Sequence, residues 1–330
     1  MPTAHAYEAL TPDVVLDALS DIGFAVDGRL MALSSYENRV YQVMLDDDQA
    51  LVAKFYRPER WSDAQILEEH AFAAELMAEE IPVVGPLLLH GNTLHHSAGF
   101  AFSVSPRRGG RMPELDDVEV LEWVGRFIAR IHSVGQKQAF ATRPTLNLQT
   151  FAIDSRDWLL EHNMIPLDQQ ATWTSWCDKA IAIAKDIFAE YPSKLIRLHG
   201  DCHPGNILWT PTDHANGGPH FVDLDDARTG PAIQDLWMLI SGDRKQQTFQ
   251  LRVLLDGYEQ MRELNRSELA LIEPLRTLRL IHYSAWLARR RDDPAFVQHF
   301  SWFGSSDYWA GQIHMLEEQC EAMQAPALVV

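Results

Sequence analysis

Cysteine is scarce in this chain. Three are present in 330 residues, Cys177, Cys202 and Cys320, widely separated and odd in number. They supply no disulfide frame and fit a reducing compartment. Positive charge is short as well: 28 Lys and Arg stand against 46 Asp and Glu, a formal net charge of −18. A surface of that sign repels phosphate backbones and anionic lipids, so no nucleic acid and no membrane is expected as the main partner. Long apolar runs are missing, and none nears the ~20 residues that cross a bilayer. The opening Met1-Pro2-Thr3-Ala4-His5 carries no basic segment followed by an apolar core, so no secretory signal is read there. No internal repeat or low-complexity tract is seen.

Apolar content is ample. Hydrophobic residues make up 46% of the chain, enough for one large domain or two lobes with proper cores. Residues 12–22 place Val14, Val15, Leu16, Leu19 and Ile22 at helical spacing. Short strand-like pieces follow at 25–26, 30–33, 39–44 and 50–56, a β-meander. Ser62 is a candidate cap for a helix over 63–79. Residues 81–88 and 100–105 read as two more strands, and Pro106-Arg107-Arg108-Gly109-Gly110 as a hinge. Beyond it the periodicity turns helical, over 118–132, 168–190, 247–264, 267–292 and 307–323. The reading is an α+β, bilobal chain: a β-rich N-lobe over 1–106 and a mostly helical C-lobe over 107–330.

The chemistry concentrates in Leu198-His199-Gly200-Asp201-Cys202-His203-Pro204-Gly205-Asn206-Ile207-Leu208 and in Phe221-Val222-Asp223-Leu224-Asp225. Gly200, Pro204 and Gly205 make the first of these a loop. Between the two, Pro211, Asp213, Asn216, Gly217, Gly218 and Pro219 are turn formers, so the apolar edges can pair as a hairpin. That hairpin brings Asp201, Asn206 and Asp223 together. Hard oxygen ligands for Mg²⁺ plus one carboxylate able to take a proton are what phosphoryl transfer from ATP needs. The spacing His199-x-Asp201-x-x-x-x-Asn206, followed by a metal-binding Asp, is that of the kinase catalytic loop, with Gly200 where protein kinases have Arg. A rival is zinc held by His199, Asp201 and His203, which leaves Asn206 and Asp223 without a role.

The N-lobe supplies the matching parts. Lys54, in Val52-Ala53-Lys54 on the third meander strand, sits where kinases carry the phosphate-pairing Lys. Its expected partner is Glu69, which shares a helix face with Ile66, Ala73 and Leu76; Glu68 is the alternative. The loop Ser34-Ser35-Tyr36-Glu37-Asn38 has no glycine, so phosphate contact there falls to backbone N–H groups and the Ser34 and Ser35 hydroxyls. Adenine is expected along the backbone around Ser103, Val104 and Ser105. Asp235, near a helix start, is placed to tie down the catalytic-loop backbone, and Asp225 and Asp226 to assist metal or hold Arg228. Arg276, Arg279, Arg289, Arg290 and Arg291 form a basic cluster, either a contact for acidic substrate groups or a solvated face.

Four motifs, Ser35-Tyr36-Glu37-Asn38-Arg39-Val40-Tyr41, Val52-Ala53-Lys54 with Phe55 through Trp61, and the two catalytic segments extended to Trp209 and Arg228, resemble the bacterial stress-response Ser/Thr protein kinases of the aminoglycoside-phosphotransferase-like group. The resemblance covers almost the whole chain. It implies a cytoplasmic, monomeric, ATP- and Mg²⁺-dependent Ser/Thr protein kinase that autophosphorylates and serves stress survival. By match, Asp201 is the proton acceptor, Asn206 and Asp223 hold Mg²⁺, and Ser35 lies at the ATP site. Asp201 and Asp223 are then the catalytic carboxylates. Pro204 departs from the small residue often found there. The catalytic loop alone leaves open a small-molecule acceptor, such as an amino alcohol or aminoglycoside. A nucleotide-binding regulator without catalysis would lack the Lys, Asp or Asn, and all are present.

Overall fold

The computed structural model describes residues 6–214 and 217–330, so the expected turn residue Asn216 and the opening residues 1–5 lie outside the description. The first element is α1 (Pro12–Asp21), capped by Thr11 and started by Pro12 at its first position. Its buried Val15, Ala18 and Leu19 join the core beneath an antiparallel sheet. Strands β1 (Val26–Ala32), β2 (Arg39–Leu45) and β3 (Ala50–Phe55) form the meander, α2 (Asp63–Ala78) follows, and β4 (His95–Ser97) and β5 (Phe100–Pro106) complete the order β1-β2-β3-β5-β4.

Register decides what this sheet shows to each side. Lys54 pairs with Val40 and Ser103, and Val52 with Ser105. Successive side chains on a strand point oppositely. Ala53, Phe55, Phe102 and Val104 therefore enter the core with α1, while Val52, Lys54, Ser103 and Ser105 face the cleft. Ser62 and Gln65 cap α2 reciprocally.

The strand expected over 81–88 is not formed. Pro82 and Pro86 interrupt it. Val83 instead makes a single parallel bridge to Phe221; the Phe221 N–H donates to the Pro82 carbonyl (2.8 Å) and the Val84 N–H to the Phe221 carbonyl (2.9 Å). This connector thus fastens the N-lobe to the catalytic hairpin. The outer partner of β5 is β4, which precedes it through Ala98 and Gly99, both at positive φ.

The C-lobe begins with α3 (Val118–Gly135), capped by Asp117. A π-helical stretch runs into α4 (Asp154–Glu161), an element not anticipated from the sequence, and α5 (Leu167–Glu190) follows. Short strands β6 (Ile196–Leu198), β7 (Ile207–Thr210), β8 (Gly218–Phe221) and β9 (Arg228–Gly230) pair as β6-β9 and β7-β8. Then come α6 (Ile233–Trp237), α7 (Arg244–Tyr258), α8 (Ile272–Ala288), α9 (Phe296–His299) and α10 (Ser306–Gln324). The single helix expected over 267–292 splits into a 3₁₀ turn, Arg266–Leu271, and α8, with Pro274 in the first turn, where its missing N–H costs least. The three cysteines are buried and free. No helix among the described residues is long and apolar enough to cross a membrane.

Candidate active site

One cavity of about 1170 Å³ opens between the lobes. Its lining includes Ser35, Lys54, Glu69, Ser103 and Ser105 from the N-lobe and Asp201, Asn206 and Asp223 from the C-lobe. The sequence-predicted side chains therefore share one space, with Val104 excepted. Val104 turns into the core, and its carbonyl accepts from the Leu87 N–H at 2.7 Å.

The catalytic loop is fixed from beneath. The Asp235 carboxylate accepts the His199 and Gly200 N–H groups, both at 2.9 Å, and lies 3.1 Å from His132 Nε2. Burial alone would raise this carboxyl; the His132 hydrogen bond and the charges nearby hold it below the usual range. At Gly200, φ is +85° and a Cβ would stand 2.1 Å from the Asp226 carbonyl oxygen. That contact explains why Gly stands where protein kinases carry Arg: the loops bearing Asp201 and Asp223 touch here, and a side chain has no room.

Asn206 donates its side-chain N–H to the Asp201 carbonyl at 2.9 Å, and its own carbonyl accepts the Val222 N–H at 3.0 Å. The hairpin β7-β8 thus closes directly on the residue before Asp223. Asp223 itself is left-handed (φ 60°, ψ 61°), a strained state for a non-glycine residue. It starts the tight turn that places Asp225 and Asp226 on the same side.

Lys54 does not pair with Glu69, as expected, but with the two aspartates. Its Nζ lies 2.7 Å from Asp223 Oδ1 and 3.3 Å from Asp225 Oδ1. The turn after Asp223 delivers both carboxylates to the ammonium, and two anions attract it more strongly than one. Burial pushes Lys54 down, but Asp223 and Asp225 outweigh this and hold it well above its ordinary value. Burial opposes ionisation of Asp225 too, and Lys54 and Arg60 keep it below the usual range. Glu69 is buried in the same wall, beyond ion-pair reach, and burial pushes it up to about 7 against the pull of Lys54. Glu68 turns away and accepts the N–H groups of Thr142 and Arg143, both at 2.9 Å.

Two contacts were not legible beforehand. Arg279 of α8 donates from Nη1 to Asp201 Oδ1 at 2.7 Å. Arg60 donates to Asp226 at 2.9 and 3.0 Å and pairs with Asp225. Arg60 lies in the motif ending at Trp61, whose spacing gives Lys54 a role but none to Arg60. Arg279 was one arginine of a cluster, and spacing does not single it out.

The oxygen donors suit a hard cation. Asn206, Asp223 and Asp225 supply amide and carboxylate oxygens, and Asp225 Oδ1, 3.3 Å from Lys54 Nζ, is buried with no further partner. One or two carboxylates completed by substrate phosphates is the usual Mg²⁺ arrangement. The zinc alternative fails on geometry. Among the described residues no three His, Cys, Asp or Glu side chains are grouped closely enough to ligate one metal ion, so zinc lacks its all-protein ligand set.

Residues 30–271 match the model of the phosphotransferase enzyme family. An Escherichia coli protein named stress response kinase A is 46% identical over 326 residues, which cover 99% of this chain and 97% of that protein. A Salmonella typhimurium protein named serine/threonine protein kinase RdoA is 44% identical over 325 residues, covering 98% and 97%. Among solved structures, amicoumacin kinase hAmiN in complex with AMP-PNP, Ca²⁺ and Ami superimposes with a TM-score of 0.72 at 18% identity, over 94% of this chain and 93% of that one. The chain is a kinase of the phosphotransferase enzyme family and belongs, within it, to the stress response kinases A.

Proposed function

We propose that the chain is an ATP- and Mg²⁺-dependent Ser/Thr protein kinase. The observation that carries this is the convergence of Lys54, Asp201, Asn206 and Asp223 on one interlobe cavity large enough for a nucleotide and part of an acceptor. Names of relatives, stress response kinase A and serine/threonine protein kinase RdoA, support the protein acceptor.

In this reading adenine enters along Ser103 and Ser105, and the phosphates lie between Lys54 and the loop at Ser34 and Ser35. Asn206, Asp223 and Asp225 would hold Mg²⁺, which when bound would neutralise charge on the phosphate oxygens. Lys54, charged in its buried setting, reaches the phosphates from its place beside Asp223. Asp201 Oδ1 is held by Arg279, which leaves Oδ2, 3.6 Å from His203 Nε2, as the oxygen for the acceptor hydroxyl. The acceptor oxygen forms its bond to the γ-phosphorus as the bond to the β–γ bridging oxygen breaks. ADP leaves with that electron pair, and the hydroxyl proton passes to Asp201. Autophosphorylation, a monomeric cytoplasmic protein and a role in stress survival belong to the same proposal.

A second reading keeps the chemistry and changes the acceptor to a small molecule; it is favoured by the structural likeness to amicoumacin kinase hAmiN, solved in complex with Ami. Incubation with labelled ATP and Mg²⁺ separates the two. Label entering the chain itself and Ser/Thr proteins, lost in Asp223→Ala, supports the protein kinase. Label entering only an amino alcohol or aminoglycoside overturns it.

A further inference from the structure

The wall of the cavity beyond Asp201 differs in charge from the rest of the protein. Two segments build it, residues 144–151 and α8 with the two residues that follow it. Their lining side chains include Phe151, Arg279, His282, Tyr283, Trp286 and Arg289, and no Asp or Glu. The acids of the cavity lie elsewhere. Asp201, Asp223, Asp225 and Asp226 belong to the catalytic loops, Glu69 to the wall behind Lys54, and Glu59 to the N-lobe. Glu37 is shared among Arg57, Arg60 and Arg290.

Two cations of this wall carry unspent capacity. Arg279 commits Nη1 to Asp201, and its side chain is still 41% exposed. Arg289 makes no ion pair within 4 Å among the described residues and lies over the Trp158 ring at 5.1 Å. Burial lowers Arg289 first and the adjacent Arg290 adds to it, while Asp154 pulls the other way, and the balance leaves it below its ordinary value. His282 adds no charge, because burial and the nearby Arg228 push it down to about 3. Tyr283 stacks on Trp286 at 5.6 Å, a flat aromatic ledge between the two arginines.

A chain of net charge −18 that lines one wall of its active cleft with guanidinium groups and no carboxylate gives that wall a polarity of its own. An amino alcohol or an aminoglycoside, positively charged, would meet like charge here and find no carboxylate to replace its water. Guanidinium groups suit carboxylates. Resting on the protein-kinase reading, we infer that the acceptor is a Ser/Thr-bearing protein segment with Asp or Glu beside the hydroxyl, bound by Arg279 and Arg289 over the Tyr283–Trp286 ledge.

The test compares three serine peptides that differ only in their flanks, two Glu, two Gln or two Lys on either side, alongside ethanolamine and an aminoglycoside. The native chain is expected to use the Glu-flanked peptide with kcat/KM about 10-fold above the Gln-flanked one and further above the Lys-flanked one. Arg289→Glu, a change on an exposed side chain, is expected to reverse the order of the Glu- and Lys-flanked peptides. Equal use of all three peptides, or preference for Lys flanks, overturns the inference and leaves the protein kinase standing. A Glu preference that Arg289→Glu leaves intact also overturns it. Transfer to a small molecule and to no peptide overturns the protein-kinase reading itself.

Discussion

Glu37, in the loop between β1 and β2, accepts a hydrogen bond from Arg290 Nη2 at 2.8 Å across the cleft. The same carboxylate lies 3.1 Å from Arg57 Nε and 3.6 Å from Arg60 Nε, and Arg57 Nη2 reaches Asp293 of the C-lobe at 3.0 Å. Tyr36 adds edge contacts to Trp286 and Phe300. The loop expected over the ATP phosphates is thereby tied to the helical lobe. Removing the acid leaves three guanidinium groups facing one another in a half-buried place. Glu37→Gln is expected to cost about 2–4 kcal/mol of stability and to raise KM for ATP. Urea unfolding and ATP titration check both, and an unchanged unfolding midpoint would deny the clasp its role.

Asp201 and Arg279 make the second prediction. Asp201→Asn keeps shape but takes no proton, so phosphoryl transfer should fall by about 10²–10⁴-fold while calorimetry still shows nucleotide binding. Arg279→Ala frees the Asp201 carboxylate to rotate, and a fall of about 10-fold or more in kcat is expected, since misplaced catalytic groups lose rate steeply. Full turnover in Asp201→Asn would remove that residue from the chemistry.

The grouping of Asp201, Asn206 and Asp223 was legible because its signals are local. Asp201 and Asn206 sit in one glycine- and proline-broken loop, and turn formers announce the hairpin that returns to Asp223. Strand alternation places Lys54 on its strand, and helix periodicity turns Glu69 inward where it is buried, but the expected pairing of the two is not made. Pairings between distant residues were not legible. Glu37 and Arg290 are 253 positions apart, and Lys54 and Asp223 are 169 apart. Which carboxylate captures Lys54 depends on a left-handed turn at Asp223, a conformation its residue type does not announce. The misread strand over 81–88 has the same origin. Ile81 and Val83 alternate inward like strand residues, but the backbone they carry docks on Phe221 instead of joining the sheet.

Helices α3 and α7 cross at two glycines. A Cβ on Gly125 would stand 2.0 Å from the Leu254 carbonyl oxygen, and one on Gly257 would stand 2.0 Å from that of Glu122. Gly→Ala in a helix interior ordinarily gains about 1 kcal/mol. Here the obstacle is backbone, so overpacking of about 1–3 kcal/mol or more should win. Gly257→Ala is therefore expected to unfold at lower urea than the native chain. A stabilised variant would mean that the crossing yields at little cost.

His70 sets an acid limit on stability. It is buried in α2, where Nε2 shares a hydrogen bond with the Tyr56 hydroxyl at 2.7 Å and Nδ1 with Thr93 Oγ1 at 2.8 Å. Burial, with the Lys54 charge, pushes it down to about 3. The folded chain therefore refuses a proton that the unfolded chain accepts below pH ~6.5. Unfolding takes up that proton, so the contribution is whole above the unfolded value and is lost as pH falls towards the folded one, by up to about 1.4 kcal/mol per pH unit. Over the same range Glu69, pushed up to about 7, takes up a proton in the folded chain and works the other way, so the His70 contribution is read as a difference between two chains. His70→Gln, which does not titrate, should show a shallower slope over the same range even if its stability at pH 7 is lower. Parallel slopes for the two chains, measured by urea unfolding at each pH, would place the acid sensitivity in another group.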